Sequence, residues 1–166
     1  MVEMKVFGLA LDEVSSAPVL VLKDLQEQQT LPIWIGAMEA MAISLVLNDV
    51  SLPRPMTHDL LLNLAGVLGA KVVSVAVTRL DAGTYYAEVE LRLGEEKRHL
   101  DSRPSDAVAL ALRAKCPIFV AQAVLDEVAK DTSSTVGASP VLKTEEAEKW
   151  NELLEQFSSD ENKYKM

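Results

Sequence analysis

The stretch Leu100-Asp101-Ser102-Arg103-Pro104-Ser105-Asp106-Ala107-Val108-Ala109-Leu110-Ala111-Leu112-Arg113 carries a polar strand end through a sharp turn into an apolar helix. Pro104 suits the first helical position, where its missing N–H would have no intrahelical partner anyway. Ser105 and Asp106 then fall in the first turn, where negative charge meets the positive end of the helix dipole. Residues 107–112 are apolar or small on nearly every side, so the spacing predicts a buried helix. A buried helix with so polar a mouth is either a carefully capped helix or a site.

Working outward, the strands come first. Tyr85, Ala87, Val89, Leu91 and Leu93 alternate with polar residues, the pattern of a strand with one buried face. Residues 96–100 read as a short strand beside it, and Val73, Val75 and Val77 as one before it. The first half of the chain has the same order. Residues 2–11 form a strand with disturbed alternation, 19–22 a continuous apolar strand, and 31–35 a third strand. Pro32 belongs near the start of that strand or on an edge. A helix over 37–47 follows. Thr57 reads as the N-cap of a helix ended by Gly69. Ile118-Phe119-Val120 is a brief strand and 121–130 a short helix. The fold class is therefore α+β: a mixed, largely antiparallel sheet with packed helices.

Residues 39–45 echo residues 106–112, and each follows three strand segments. This suggests an internal repeat of a three-strand-plus-helix module, with Glu39 and Asp106 equivalent. Residues 1–130 form the domain. Residues 131–142, with Ser, Thr, Gly and Pro, read as a linker. Residues 143–166 read as a last helix with a frayed tail. Its stripe of Ala147, Trp150, Leu154 and Phe157 is spaced to dock on the body or on a neighbouring subunit.

The chain has 166 residues, enough for one domain with a real core. It carries no signal-peptide pattern and no apolar run long enough to span a membrane. Cys116 is the single cysteine, which excludes an internal disulfide and fits a reducing compartment, the cytoplasm. It reads as a small core residue. Net charge is −9, and twelve basic against eighteen acidic residues precede Lys143, so the body itself is acidic. Broad, non-specific binding to phosphate backbones is disfavoured. A local site, with a divalent metal supplying positive charge, is not.

Three polar groups could carry chemistry. Asp101 and Asp106 are hard oxygen ligands suited to Mg²⁺ or Mn²⁺, and Arg103 could hold a phosphate through its planar fork. The alternative is that Asp106 caps its helix, Asp101 pairs with Arg103, and Ser102 or Ser105 closes the turn. Glu39 is either a first-turn acid answering its helix dipole or a ligand or base in apolar surroundings. Arg54, Thr57, His58 and Asp59 cluster at another helix mouth. His58 and Asp59 are adjacent, so they serve different partners. His99, on a strand, reads as a surface residue, and Trp34 and Trp150 as packing residues. No zinc spacing, glycine-rich phosphate loop or serine-hydrolase elbow is present.

Three motifs occur in one order: Leu31-Pro32-Ile33-Trp34-Ile35-Gly36 with Glu39-Ala40, then Arg54-Pro55-Met56-Thr57-His58-Asp59-Leu60, then Asp101 to Ala107 with Ala109-Leu110-Ala111. Together they resemble the bifunctional nuclease domain family, over roughly residues 2–130. The resemblance implies an α+β domain, often oligomeric, that acts on RNA and DNA. The matching motif positions are Glu39, Arg54, His58, Asp59, Asp101, Arg103, Ser105 and Asp106. The expected enzyme is a metal-dependent phosphodiester hydrolase. Asp101, Asp106 and Glu39 would bind Mg²⁺ or Mn²⁺, and His58 and Asp59 would serve acid–base chemistry. Arg54, Arg103 and Ser105 would hold the nucleic-acid substrate. The rival reading is a non-enzymatic, homo-oligomeric binding or regulatory module, in which the same residues are structural ion pairs and caps.

Overall fold

The computed structural model describes residues 1–134. The expected last helix, its apolar stripe and residues 135–142 of the expected linker lie outside the described residues. Seven strands form one sheet: β1 (Val2–Leu11), β2 (Pro18–Asp24), β3 (Thr30–Trp34), β4 (Ala70–Asp81), β5 (Thr84–Leu93), β6 (Glu96–Ser102) and β7 (Ile118–Val120). The described helices are α1 (Ala37–Leu47), α2 (Thr57–Val67), α3 (Pro104–Ala114) and α4 (Gln122–Ser134).

The strand order is β3-β2-β1-β7-β4-β5-β6. Two three-strand meanders thus stand side by side, joined by the short β7. Every neighbouring pair is antiparallel except β7 with β4. The disturbed alternation of β1 is a bulge, with the register slipping between Val6 and Gly8 against β2. Pro32 lies opposite Val21 on the edge strand β3, where only one side of the strand is paired. β6 forms the other edge and is exposed along nearly its whole length. Its Glu, Lys, Arg, His and Asp side chains discourage pairing with another chain.

One apolar cluster unites the sheet and helices. Leu20, Leu22, Leu31 and Ile33 come from the first meander, Val75, Val77 and Val89 from the second, and Val120 from β7. Ile43 of α1, Val108 and Leu110 of α3, and Val124 of α4 close it. α3 buries seven residues and α1 five, as their small and apolar sequences require. Each of these helices follows a meander, and Glu39 and Asp106 are each the third residue of their helix.

Two boundaries differ from expectation. Met56, not Thr57, is the N-cap of α2. The Asp59 carboxylate accepts the Met56 N–H at 2.9 Å, so the open amide is satisfied without a threonine hydroxyl. α4 runs to Ser134, past the expected linker start at 131. Asp131, Thr132 and Ser133 are weak helix formers but not breakers; Gly137 and Pro140 come later.

Candidate active site

The first turns of three helices meet at one cleft of about 760 Å³. α1 contributes Glu39, α2 contributes His58, and α3 contributes Asp106 with Arg103 at its N-cap. The β4–β5 hairpin adds Thr84, Tyr85 and Tyr86, and the end of β6 adds Leu100 to Ser102. Residues far apart in sequence converge here because α1 and α3 pack side by side and α2 lies against α3.

The polar groups form a continuous chain. His58 Nε2 lies 3.1 Å from Asp106 Oδ1. Arg103 Nε donates to Asp106 Oδ2 at 2.7 Å and Nη2 to Oδ1 at 3.2 Å, a forked pairing. Arg103 Nη1 lies 2.9 Å from Glu39 Oε1. Burial alone would raise the Asp106 carboxyl. Hydrogen bonds from Arg103 and His58, with their charges, outweigh it and hold the group below its ordinary value. Arg103 is shifted up in turn, chiefly by its hydrogen bond to Asp106. The Asp106 side chain is 28% exposed and that of Arg103 65%, so the cluster lies open to the cleft.

His58 and Asp59 face different partners, as adjacent helical positions must. Asp59 turns away to Arg113, whose Nε donates to Asp59 Oδ1 at 2.7 Å. Arg113 is 7% exposed, and its Nη1 also donates to the carbonyls of Ala42 and Ala109. Burial would raise the Asp59 carboxyl, but the Met56 N–H and Arg113 hold it below its ordinary value. Arg54, Asp59 and Arg113 line a separate cavity of about 370 Å³ behind the α2 start. Arg54 and Asp59 therefore do not join the His58 cluster.

Ser105 is buried on α3 and does not line the cleft. Asp101 lies opposite Glu88 in register, while its neighbour Leu100 lies opposite the buried Val89. Alternation therefore turns the Asp101 side chain toward the other face of the sheet, although the residue still borders the cleft. The expected Asp101–Arg103 pair is absent; Arg103 pairs with Asp106 and Glu39 instead.

The three carboxylates expected to share an ion do not gather. Both oxygens of Asp106 are engaged by Arg103 and His58, Glu39 is engaged by Arg103, and Asp101 points elsewhere. Among the described residues no group of three or more His, Cys, Asp or Glu side chains could hold a metal ion. As placed, these residues do not fit a metal centre. Arg113 was not among the expected site residues. Its signal is a lone cation in the last turn of a helix that is otherwise apolar after Asp106.

Comparison with known proteins follows this geometry. The family model for the bifunctional nuclease domain matches residues 20–133, which contain every motif residue above. The chain belongs to the bifunctional nuclease domain family. The uncharacterized protein Rv1829 of Mycobacterium tuberculosis (strain ATCC 25618 / H37Rv) is 37% identical over 163 residues, 97% of this chain and 98% of its own length. Bifunctional nuclease 1 of Oryza sativa subsp. japonica is 33% identical over 112 residues, 63% of this chain and 34% of its own. Bifunctional nuclease 1 of Arabidopsis thaliana is 30% identical over 119 residues, 68% of this chain and 36% of its own. The chain thus spans about a third of the plant nucleases it matches. No described helix of this bifunctional nuclease domain is long and apolar enough to cross a membrane.

Proposed function

We propose that this bifunctional nuclease domain hydrolyses phosphodiester bonds of RNA or DNA in the cleft between α1, α2 and α3. The observation that carries the reading is the chain His58–Asp106–Arg103–Glu39 along one open wall. A histidine held through one ring nitrogen by a carboxylate is an oriented proton-transfer group. In hydrolysis the attacking water loses a proton as its oxygen bonds to phosphorus. The ester P–O bond breaks, and the leaving oxygen gains a proton. His58 serves one of these transfers through its other ring nitrogen. Arg103 presents a planar fork to a phosphate oxygen, and Glu39 and Asp106 fix its position. Family membership and relatives named as nucleases support the reaction class.

A second reading has an observation of its own. Arg103 is balanced by two carboxylates, and the chain carries −9, so the cluster is a poor anion attractor before substrate arrives. In that reading the motif residues hold α1 to α3, and the domain binds a partner without catalysis.

The test is cleavage of labelled single-stranded RNA and DNA by the purified full chain, with and without Mg²⁺ or Mn²⁺. His58→Ala and Asp106→Ala, purified identically, run beside it. Cleavage lost in both variants supports the nuclease reading. Cleavage equal in all three is a contaminant, and none across substrates and metals moves the assignment to the binding module.

A further inference from the structure

The cavity behind the start of α2 is lined by a buried cation whose donors are not all used. Arg113 Nε donates to Asp59 Oδ1, and Nη1 donates to the carbonyls of Ala42 and Ala109. Nη2 carries two further N–H groups, and neither has an acceptor among the described residues. Buried polar groups are normally paired, so a charged donor with spare capacity on a cavity wall points to an acceptor that binds there. The nearby acceptors are already engaged. Asp59 Oδ2 takes the Met56 N–H. At the end of α1 the carbonyls of Ser44, Leu45 and Val46 take the N–H groups of Asn48, Val50 and Asp49.

Arg54 supplies a second cation to the same cavity. It lies between Pro53 and Pro55 in the loop from α1 to α2. It is exposed and makes no ion pair or hydrogen bond among the described residues. A proline on each side restricts the loop, so less backbone freedom is lost when a ligand is held there. Asp49, exposed on the same wall, limits the charge that fits. With two arginines and two aspartates around the cavity, a singly charged anion is matched better than a doubly charged one. The two guanidiniums come from separate elements, the loop and α3. A tetrahedral group directs its two charged oxygens apart, one toward each planar fork.

We propose that this cavity binds a phosphodiester group, a singly charged oxyanion, between Arg54 and Arg113. Met56 lines both this cavity and the cleft, so the group belongs to a strand that continues from the cleft or to a separate small phosphodiester. The site uses no charged group of the His58 cluster, so it stands or falls apart from the nuclease reading.

The test titrates dimethyl phosphate into the full chain and follows the Arg113 Nε–H resonance, which burial and the bond to Asp59 protect from exchange. Saturable movement is expected in the wild type and in His58→Ala. Arg54→Gln should abolish it with native far-UV circular dichroism, since Arg54 is exposed. Asp49→Asn should tighten binding about threefold, the worth of one exposed charge. No saturable movement overturns the proposal, and so does equal movement in Arg54→Gln or equal saturation by acetate. A second arm measures binding of a short single-stranded DNA to His58→Ala with and without Arg54→Gln. Affinity lowered about tenfold, the scale of one charge-assisted contact, supports the site with a strand as the source. Unchanged affinity, with dimethyl phosphate binding lost, supports it with a separate phosphodiester as the source. Dimethyl phosphate binding in a chain that cleaves no nucleic acid sinks the nuclease reading and leaves this site standing.

Discussion

His58 Nε2 and Asp106 Oδ1 stand 3.1 Å apart across 48 residues of sequence, each in the first turn of its own helix. If His58 moves the proton, His58→Ala should lower single-turnover cleavage by about 10²–10⁴-fold, the usual worth of general acid–base catalysis. Asp106→Asn should lower it by a smaller factor within that span. Its partner Arg103 is exposed, so breaking their pair should cost about 1 kcal/mol and leave the variant folded. Cleavage rates and urea unfolding on the same preparations check both halves. A folded Asp106→Asn protein of undiminished activity would remove Asp106 from the mechanism.

Arg103→Lys separates charge from geometry. Lysine keeps the charge but cannot offer a fork to Asp106 and a third nitrogen to Glu39. Substrate affinity should fall about tenfold, roughly 1.4 kcal/mol, with the rate constant of bound substrate less affected. Steady-state kinetics over a range of substrate concentration read the split.

Asp59 should behave in the opposite manner. Its partner Arg113 is 7% exposed, so Asp59→Ala leaves a buried guanidinium facing only two carbonyls. Loss of stability of about 3 kcal/mol is expected, more than for any single cleft substitution. Equal unfolding midpoints for Asp59→Ala and Asp106→Ala would contradict this ranking.

Acid stability follows from the same two carboxylates. Asp59 and Asp106 are both held below the ordinary value of 3.8 in the folded chain. At a pH between the two values the unfolded chain binds more protons. The stability they contribute is therefore complete above the ordinary value and is lost as pH falls through the folded one. Asp106→Asn should flatten the acid side of a Tm profile recorded from about pH 2 to 7. An unchanged acid slope would show that Asp106 does not contribute.

The strands and helices were legible because local signals agreed. Pro104 fixed the start of α3, the alternation around Val89 fixed β5, and Gly36 preceded α1. The insertion of β7 between β1 and β4 was not legible, because three apolar residues can pair with any strand. At the site, Glu39, His58, Arg103 and Asp106 were readable as helix-mouth residues, but which mouths converge depends on helix packing. Asp101 shows the reverse case. The alternation with Leu100 already turned it away from Asp106, yet closeness in sequence suggested a pair. Asp59 was misplaced for a similar reason, since adjacent helical residues diverge by about 100°, whereas Arg54 lies in the loop before α2, whose path the sequence does not specify.

Gly36 offers the most local probe of the cluster. Its backbone is extended, so alanine meets no torsional obstacle. An added Cβ would instead run into the carboxylate of Glu39. That carboxylate is the far end of a flexible side chain and can move, but moving takes it away from Arg103 Nη1. Gly36→Ala should therefore cost less than about 1 kcal/mol, the scale of an exposed ion pair, while releasing one of the two anchors of Arg103. Its kinetic effect should match that of Glu39→Gln. The double variant should be no worse than either single one, because both act through the same contact. Additive losses in the cycle would mean that Gly36 acts on the cleft by a route other than Glu39.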